Sequence, residues 1–109
     1  LSYINVSKFH WLKFNSFSNL NIIKGDIRKT LLKKNNIKKI SLLISDTDFY
    51  DSSLIVLEKL YQKVSSGGVI VFDDYGMWSG QKKAVNKFFK NKKNLIFPID
   101  GSASFVIKL

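Results

Sequence analysis

Along the chain, apolar and polar positions switch between a helical and a strand-like period. Residues 2–18 set Tyr3, Val6, Phe9, Phe14 and Phe17 among Lys and Asn at roughly helical spacing, which predicts a helix. Asn21 to Lys24 predicts a short strand ended by Gly25-Asp26, and Thr30 to Lys34 a short helical segment broken by Asn35-Asn36. Ile40 to Ile44 is a nearly continuous apolar run, the pattern of a strand covered on both faces by helices, and it stops at Ser45-Asp46-Thr47-Asp48. Leu54, Leu57, Leu60, Tyr61 and Val64 then make one helical stripe, with Asp51 or Ser52 as its cap and Gly67-Gly68 as its stop. Val69 to Phe72 predicts a second buried strand, ended by Asp73-Asp74-Tyr75-Gly76. Ser79 or Gly80 opens another helix with Ala84, Val85, Phe88 and Phe89 inward, and Lys90 to Lys93 suit its negative C-terminal end. Leu95 to Ile99 and Ser104 to Leu109 predict two strands joined through Asp100-Gly101 by a loop longer than two residues.

This alternation implies an α/β layer with a parallel sheet, right-handed crossovers and an antiparallel terminal strand. Ligands of such sheets bind beyond the carboxyl ends of the strands, where both acidic stretches fall. Composition narrows the picture. The 109 residues allow one domain, and 45% hydrophobic with 14% aromatic residues is too apolar for a disordered basic tail. The net charge of +10 comes from 18 basic residues of which only Arg28 is Arg, a lysine-rich background rather than the arginine-rich surface favoured for reading phosphates and bases. Nucleic acid is therefore not the expected partner. The absence of Cys excludes disulfide scaffolds, thiol catalysis and Cys-based zinc sites. No run approaches the roughly 18 apolar residues of a membrane span and no charged-then-apolar leader opens the chain, so a cytoplasmic protein is expected.

Five of the eight acidic residues lie in two short stretches, Asp46, Asp48 and Asp51, then Asp73 and Asp74. Asp46 and Asp73 each follow a strand, one βαβ unit apart. Neighbouring parallel strands lie about 4.8 Å apart, so three carboxylates would converge at one sheet edge. Such charges need a shared proton or a cation, and oxygen ligands without His or Cys favour Mg²⁺. Asp51 reads as a helix cap, and Asp48 is either a partner of the site or a turn residue. Gly25-Asp26 could let a ligand approach the backbone, Asp26 accepting from an amino group such as that of adenine; as a dipeptide it is also an ordinary turn. Tyr50, Tyr75 and Trp78 flank the acids and could wall a pocket for a flat or apolar substrate, or simply pack loops on the sheet. His10, among aromatic residues and far in sequence from the acids, reads as structural.

The run ISLLISDTDFYDSSLIVLEKL, residues 40–60, followed by YQKVSSGGVIVFDDYGMWSGQKKAVNKFF, resembles the macrocin O-methyltransferase family, class I enzymes that use S-adenosylmethionine. That family has a strand ending in Asp-x-Asp-Leu-Tyr-Glu-Ser-Thr, a helix ending in Pro-Gly-Gly and a strand ending in Asp-Asp-Tyr-Gly. IKGDIRKTL, residues 23–31, is similar to its Lys-Gly-Asp-Phe-x-x-Thr-Leu segment. The resemblance implies that Asp46, Asp73 and Asp74 are Mg²⁺ ligands, that Asp46 also helps remove the substrate proton, and that Gly25 and Asp26 lie near the adenine ring. Departures are Phe49 for Leu, Asp51 for Glu, Ser53 for Thr, Ser65-Ser66 where Pro is common and Gln81 where Cys is frequent; none removes a ligand.

Nothing before Gly25 resembles the glycine-rich loop and the acidic residue that hold the methionine and ribose of the cofactor in this class. The resemblance thus implies an α/β fold with an incomplete Rossmann-like class I methyltransferase sheet, strands 3 to 7 only, closed by a C-terminal antiparallel hairpin. Residues 1–109 would be the C-terminal part of a single domain, with Ile22-Ile23 lacking a neighbour and the strand near Leu43 exposing an edge. The activity implied is Mg²⁺-dependent O-methylation of a hydroxyl on a sugar or glycosylated natural product, a small-molecule partner with no membrane, and little turnover from this chain by itself. A homo-oligomer is compatible with it. Two other readings stand beside it: a metal-dependent glycosyltransferase using Asp46-Thr47-Asp48, and a basic, non-catalytic interaction module.

Overall fold

Two parallel strands and the helix joining them organise the chain. In the computed structural model residues 18–77 and 79–109 are described; the helix predicted over 2–18 lies outside them except for Ser18, as does Trp78. A short helix α1 (Ile27–Thr30) precedes strand β1 (Ile40–Ser45), helix α2 (Tyr50–Leu60), a 3₁₀ turn (Tyr61–Lys63) and strand β2 (Val64–Phe72). Helix α3 (Ser79–Phe89) leads to the short strand β3 (Phe97–Pro98) and to β4 (Ser104–Ile107). The sheet order is β1-β2-β4-β3, with β1 parallel to β2 and β4 antiparallel to both of its neighbours. This is the mixed α/β sheet with a terminal hairpin that the patterning predicts.

The core lies on one face of that sheet. Leu43, Ile70, Phe72 and Val106 from the strands meet Val56, Leu57 and Leu60 of α2 and Val85 and Phe89 of α3. Burying each of the larger side chains contributes about 1.5–3 kcal/mol. Aromatic edges close the end of the core, Tyr61 meeting Phe88 at 5.1 Å and Phe89 at 5.7 Å between ring centroids, both T-shaped. Lys108 locks the 3₁₀ turn by donating from Nζ to the carbonyls of Tyr61 (2.9 Å), Gln62 (3.4 Å) and Val64 (2.7 Å).

The opposite face is not covered by the described residues. Leu42 and Ile44 are 57% and 60% exposed, so β1 is buried on one side and not on both as its apolar run predicts. An apolar run reports which side chains could be buried; burial itself needs a second layer against them. The predicted strand at Asn21 to Lys24 is not part of the sheet. An open groove of about 770 Å³, lined by Asn21, Ile22 and Ile23 on one side and residues 38–43 on the other, separates it from β1. Strand backbone needs a hydrogen-bonded neighbour, and among the described residues the segment joins no ladder of the sheet.

Local boundaries also move for identifiable reasons. The segment after Asp26 turns helical at once, because the Asp26 carboxylate caps α1 by accepting from Arg28 N (2.9 Å), so the helix covers Ile27–Thr30 instead of Thr30 to Lys34. Helix α2 starts behind Phe49, with neither Asp51 nor Ser52 as cap; Ser52 Oγ donates back to Phe49 O (3.1 Å) and Asp51 sits in the first turn. It stops at Leu60, before Val64. The pairing then jumps from Ile40↔Val64 to Leu42↔Val69, so residues 65–68 bulge out of the β1–β2 ladder, with Gly67 at φ +81°, while Gly67 N and Gly68 O pair with the Lys108 backbone on the other side. In the hairpin, Asp100 accepts from Ser102 N (2.8 Å) and Ala103 N (2.7 Å), an Asx turn that shortens the flanking strands.

Candidate functional site

The register of β1 on β2 sets Ser45 beside Phe72, so Asp46 and Asp73 leave the sheet at the same edge. The ladder runs one bond further, Asp73 N donating to Ser45 O at 3.1 Å. A row of hydroxyls shapes the loop after β1: Ser45 Oγ lies 2.9 Å from Thr47 Oγ1, which lies 2.8 Å from Ser53 Oγ on α2. Ser53 Oγ in turn donates to Thr47 O at 2.9 Å. Helix α3 packs against the same loop through Gly80, where a Cβ would stand 2.8 Å from both Asp48 O and Tyr50 N. Any side chain there would push the loop away. The fully buried Gln81 on the next position donates from Nε2 to Ser45 O (3.1 Å) and Thr47 O (2.9 Å) and accepts at Oε1 from Asp74 N (2.8 Å).

These supports bring carboxylates together. One oxygen each from Asp46, Asp48 and Asp74 lies within 4.8 Å of the others, with Asp46 exposed and the other two half-buried. Asp74 Oδ2 is buried with no hydrogen-bond partner among the described residues. Burial, followed by hydrogen bonding and charge from Asp48 and Asp46, pushes Asp74 up to about 7. Asp73 is also held above the usual carboxylate range, first by burial and then by the charge of Asp46, with Asp100 and Asp48 adding to it. The site thus gathers four carboxylates whose mutual repulsion is relieved by a proton or a cation. Asp48, left open by the sequence, joins Asp46 and Asp74 in the tightest group, and Asp73 bears on that group through Asp46.

The remaining candidates are placed as follows. Asp26 caps α1 and pairs with Arg28, Nη2 to Oδ2 at 2.7 Å, which holds its carboxyl down to about 2. Gly25 turns at φ +145°, with Thr30 Cγ2 2.9 Å from where a Cβ would be. A small hollow of about 70 Å³ runs from Ile23 and Ile27 past Leu31 to Ser45 and Asp46. Tyr50 and Tyr75 both engage α3, Lys87 Nζ lying 5.8 Å from the Tyr50 ring and Tyr75 OH donating to Asn86 Oδ1 at 2.7 Å. Trp78 is outside the described residues. The residue that sequence patterning passes over is Gln81. Its signal is present, a polar side chain three and four positions before the buried Ala84 and Val85, on the apolar stripe of α3.

A profile of the macrocin O-methyltransferase (TylF) family matches residues 7–107. Demethyldecarbamoylnovobiocin O-methyltransferase of Streptomyces niveus is 33% identical over 79 residues, which are 67% of this chain and 30% of the relative. The solved structure of the O-methyltransferase NovP matches with a TM-score of 0.82 and 25% identity over 92% of this chain and 42% of that one. The apo structure of CalS11, a TDP-rhamnose 3′-O-methyltransferase of calicheamicin biosynthesis, matches in fold, with a TM-score of 0.67 and 24% identity over 79% of this chain and 40% of that one. The chain therefore spans less than half the length of each of these relatives.

Proposed function

The chain belongs to the macrocin O-methyltransferase family, and from that premise we propose that its acidic loops form the proton-accepting and metal-binding side of an active site that methylates a hydroxyl of a sugar or glycosylated natural product. Residues 1–109 would then be the C-terminal part of one methyltransferase domain. The observation that carries this reading is the convergence of Asp46, Asp48 and Asp74, one oxygen of each within 4.8 Å of the others, in a group where Asp74 also has a buried carboxylate oxygen without a hydrogen-bond partner among the described residues. An all-oxygen donor set with one orphaned atom fits a hard divalent cation such as Mg²⁺. Asp46, Asp48 and Asp74 would hold it, with Asp73 beside Asp46. When bound, such an ion supplies Lewis acidity to a coordinated hydroxyl and a template that orients it. Asp46 is the exposed member of the group and so the one placed to take the hydroxyl proton at a carboxylate oxygen, while Asp48 and Asp74 sit deeper.

S-adenosylmethionine, when bound, supplies the electrophilic methyl group. Pockets for ligands of that size run to roughly 300–1,000 Å³. The hollow beside Asp46 holds about 70 Å³, so the described residues make one wall of a cofactor site. Gly25 and Asp26, just before the Ile27 that lines this hollow, are the proposed adenine contacts; an amino group there would share the Asp26 carboxylate with Arg28. Tyr50 and Tyr75, both held by α3, would flank the acceptor. The sugar-linked acceptor is supported by the names of the relatives, a novobiocin-type and a rhamnose O-methyltransferase. No helix among the described residues is long and apolar enough to cross a membrane. The glycosyltransferase reading would use Asp46 and Asp48 and leave Asp74 idle, whereas Asp74 shares their cluster.

Calorimetric titration with Mn²⁺ or Mg²⁺ tests the proposal. One site per chain is expected, weakened at least tenfold by Asp74→Asn and by Asp46→Asn. Absence of binding by the unaltered chain, or binding indifferent to Asp74→Asn, would overturn it.

A further inference from the structure

Gln81 occupies a place that neither patterning nor resemblance gives it. Its amide is fully buried and joins three backbone groups from two strand ends: the carbonyls of Ser45 and Thr47, either side of Asp46, and the N–H of Asp74. The assignment of its two ends is forced. The carbonyls can only accept, so Nε2 faces them, and the Asp74 N–H can only donate, so Oε1 faces it. A single planar group thereby sets the distance between the loop after β1 and the loop after β2. Those loops carry Asp46, Asp48 and Asp74, whose charges repel one another and would drive the loops apart.

We propose that Gln81 is a positioning residue that holds the two acidic loops at cation-binding separation through its buried amide. The inference rests on the methyltransferase reading for its purpose, although the clamp is a property of the metal-free fold. Three hydrogen bonds from one buried side chain restrain both loops at once; the ladder bond from Asp73 N to Ser45 O also joins the two strand ends but reaches neither Thr47 nor Asp74, and the hydroxyl row holds the Thr47 loop to α2 alone. Gly80 complements it, since its missing Cβ lets the first turn of α3 come close enough for Gln81 to reach between the loops.

Amide hydrogen exchange on the metal-free chain tests the clamp first. The Asp74 N–H lies in a loop and its bond goes to the Gln81 side chain, so exchange at least tenfold slower than the intrinsic rate of an unstructured amide is expected in the unaltered chain. Exchange at that intrinsic rate would overturn the proposal without any variant being made. Gln81→Met keeps length and burial and removes all three bonds; it should abolish the Asp74 protection and weaken Mn²⁺ binding at least tenfold. Val106→Ala, which loosens the core from β4, is the control for stability and should leave Mn²⁺ affinity within about twofold. Unchanged Asp74 exchange in Gln81→Met, or equal loss of affinity in Val106→Ala, would overturn the positioning role. If the unaltered chain takes up no Mn²⁺, the metal reading fails while the exchange result still decides whether Gln81 clamps the loops.

Discussion

At the scale of single residues, the chemistry concentrates in Asp74. Its carboxyl titrates at about 7 in the fold against an ordinary 3.8, with burial as the first cause and Asp48 and Asp46 adding to it. A group whose folded pKa is raised binds its proton more tightly when folded. Its stabilisation is therefore complete below about pH 4 and is lost as pH rises through about 7. Asp73 shifts in the same direction, while Asp26 and Asp100 shift downward and act only under more acidic conditions. The metal-free chain should accordingly melt at a lower temperature at about pH 8 than at about pH 5. Saturating Mn²⁺ should reverse that trend, because the cation competes with the proton, and Asp74→Asn should flatten it. Thermal melts across this range, with and without the ion, check all three outcomes. The sequence showed that Asp46 and Asp74 follow strands, and strand spacing alone was enough to expect repulsion between them. It left Asp48 open because a turn aspartate and a site aspartate look alike until the loop is folded back by Thr47, Ser53 and Gln81.

At the scale of elements, the parallel β1-α2-β2 unit was legible because its apolar runs are long and its ends carry polar stops. The boundaries were less so. Val64 continues the helical stripe of α2, yet it begins β2, because Lys108 from the last segment of the chain gathers the carbonyls of Tyr61, Gln62 and Val64 into a turn. A contact 44 residues away in sequence has no local signature. Lys108→Met should keep a side chain of similar length, remove the ammonium from the face of the Tyr61 ring (4.7 Å) and leave three carbonyls without their cation, lowering unfolding free energy by about 1.5–3 kcal/mol, as hydrogen bonds to charged groups contribute. Urea unfolding followed by circular dichroism measures this, and a change below about 0.5 kcal/mol would remove the clamp from the account. The strand expected at Asn21 to Lys24 shows the complementary effect: a suitable β sequence stays out of the sheet where the groove beside β1 offers it no ladder.

At the scale of the whole molecule, the main consequence is a sheet of which the described residues cover one face. Leu42 and Ile44 stand exposed on β1, whose second edge has no partner among the described residues, and Val69, Val71, Phe105 and Ile107 alternate onto the same side. An apolar face and a free edge of this kind favour self-association. The double change Leu42→Lys and Ile44→Lys should lower the scattering of concentrated solutions and leave unfolding free energy within about 1 kcal/mol, since neither side chain is in the core. A large loss of stability would mean that this face is packed in solution. Order of elements, family membership and the position of each acid relative to its strand all followed from residues close together in the chain, where periodicity, stop signals and motif spacing act. Which carboxylates converge, how far apart Gln81 holds them and which side of β1 is dry depend on groups brought together from distant positions. Burial and like-charge proximity are properties of neighbours in space, so they arise only when β1, β2 and α3 are assembled.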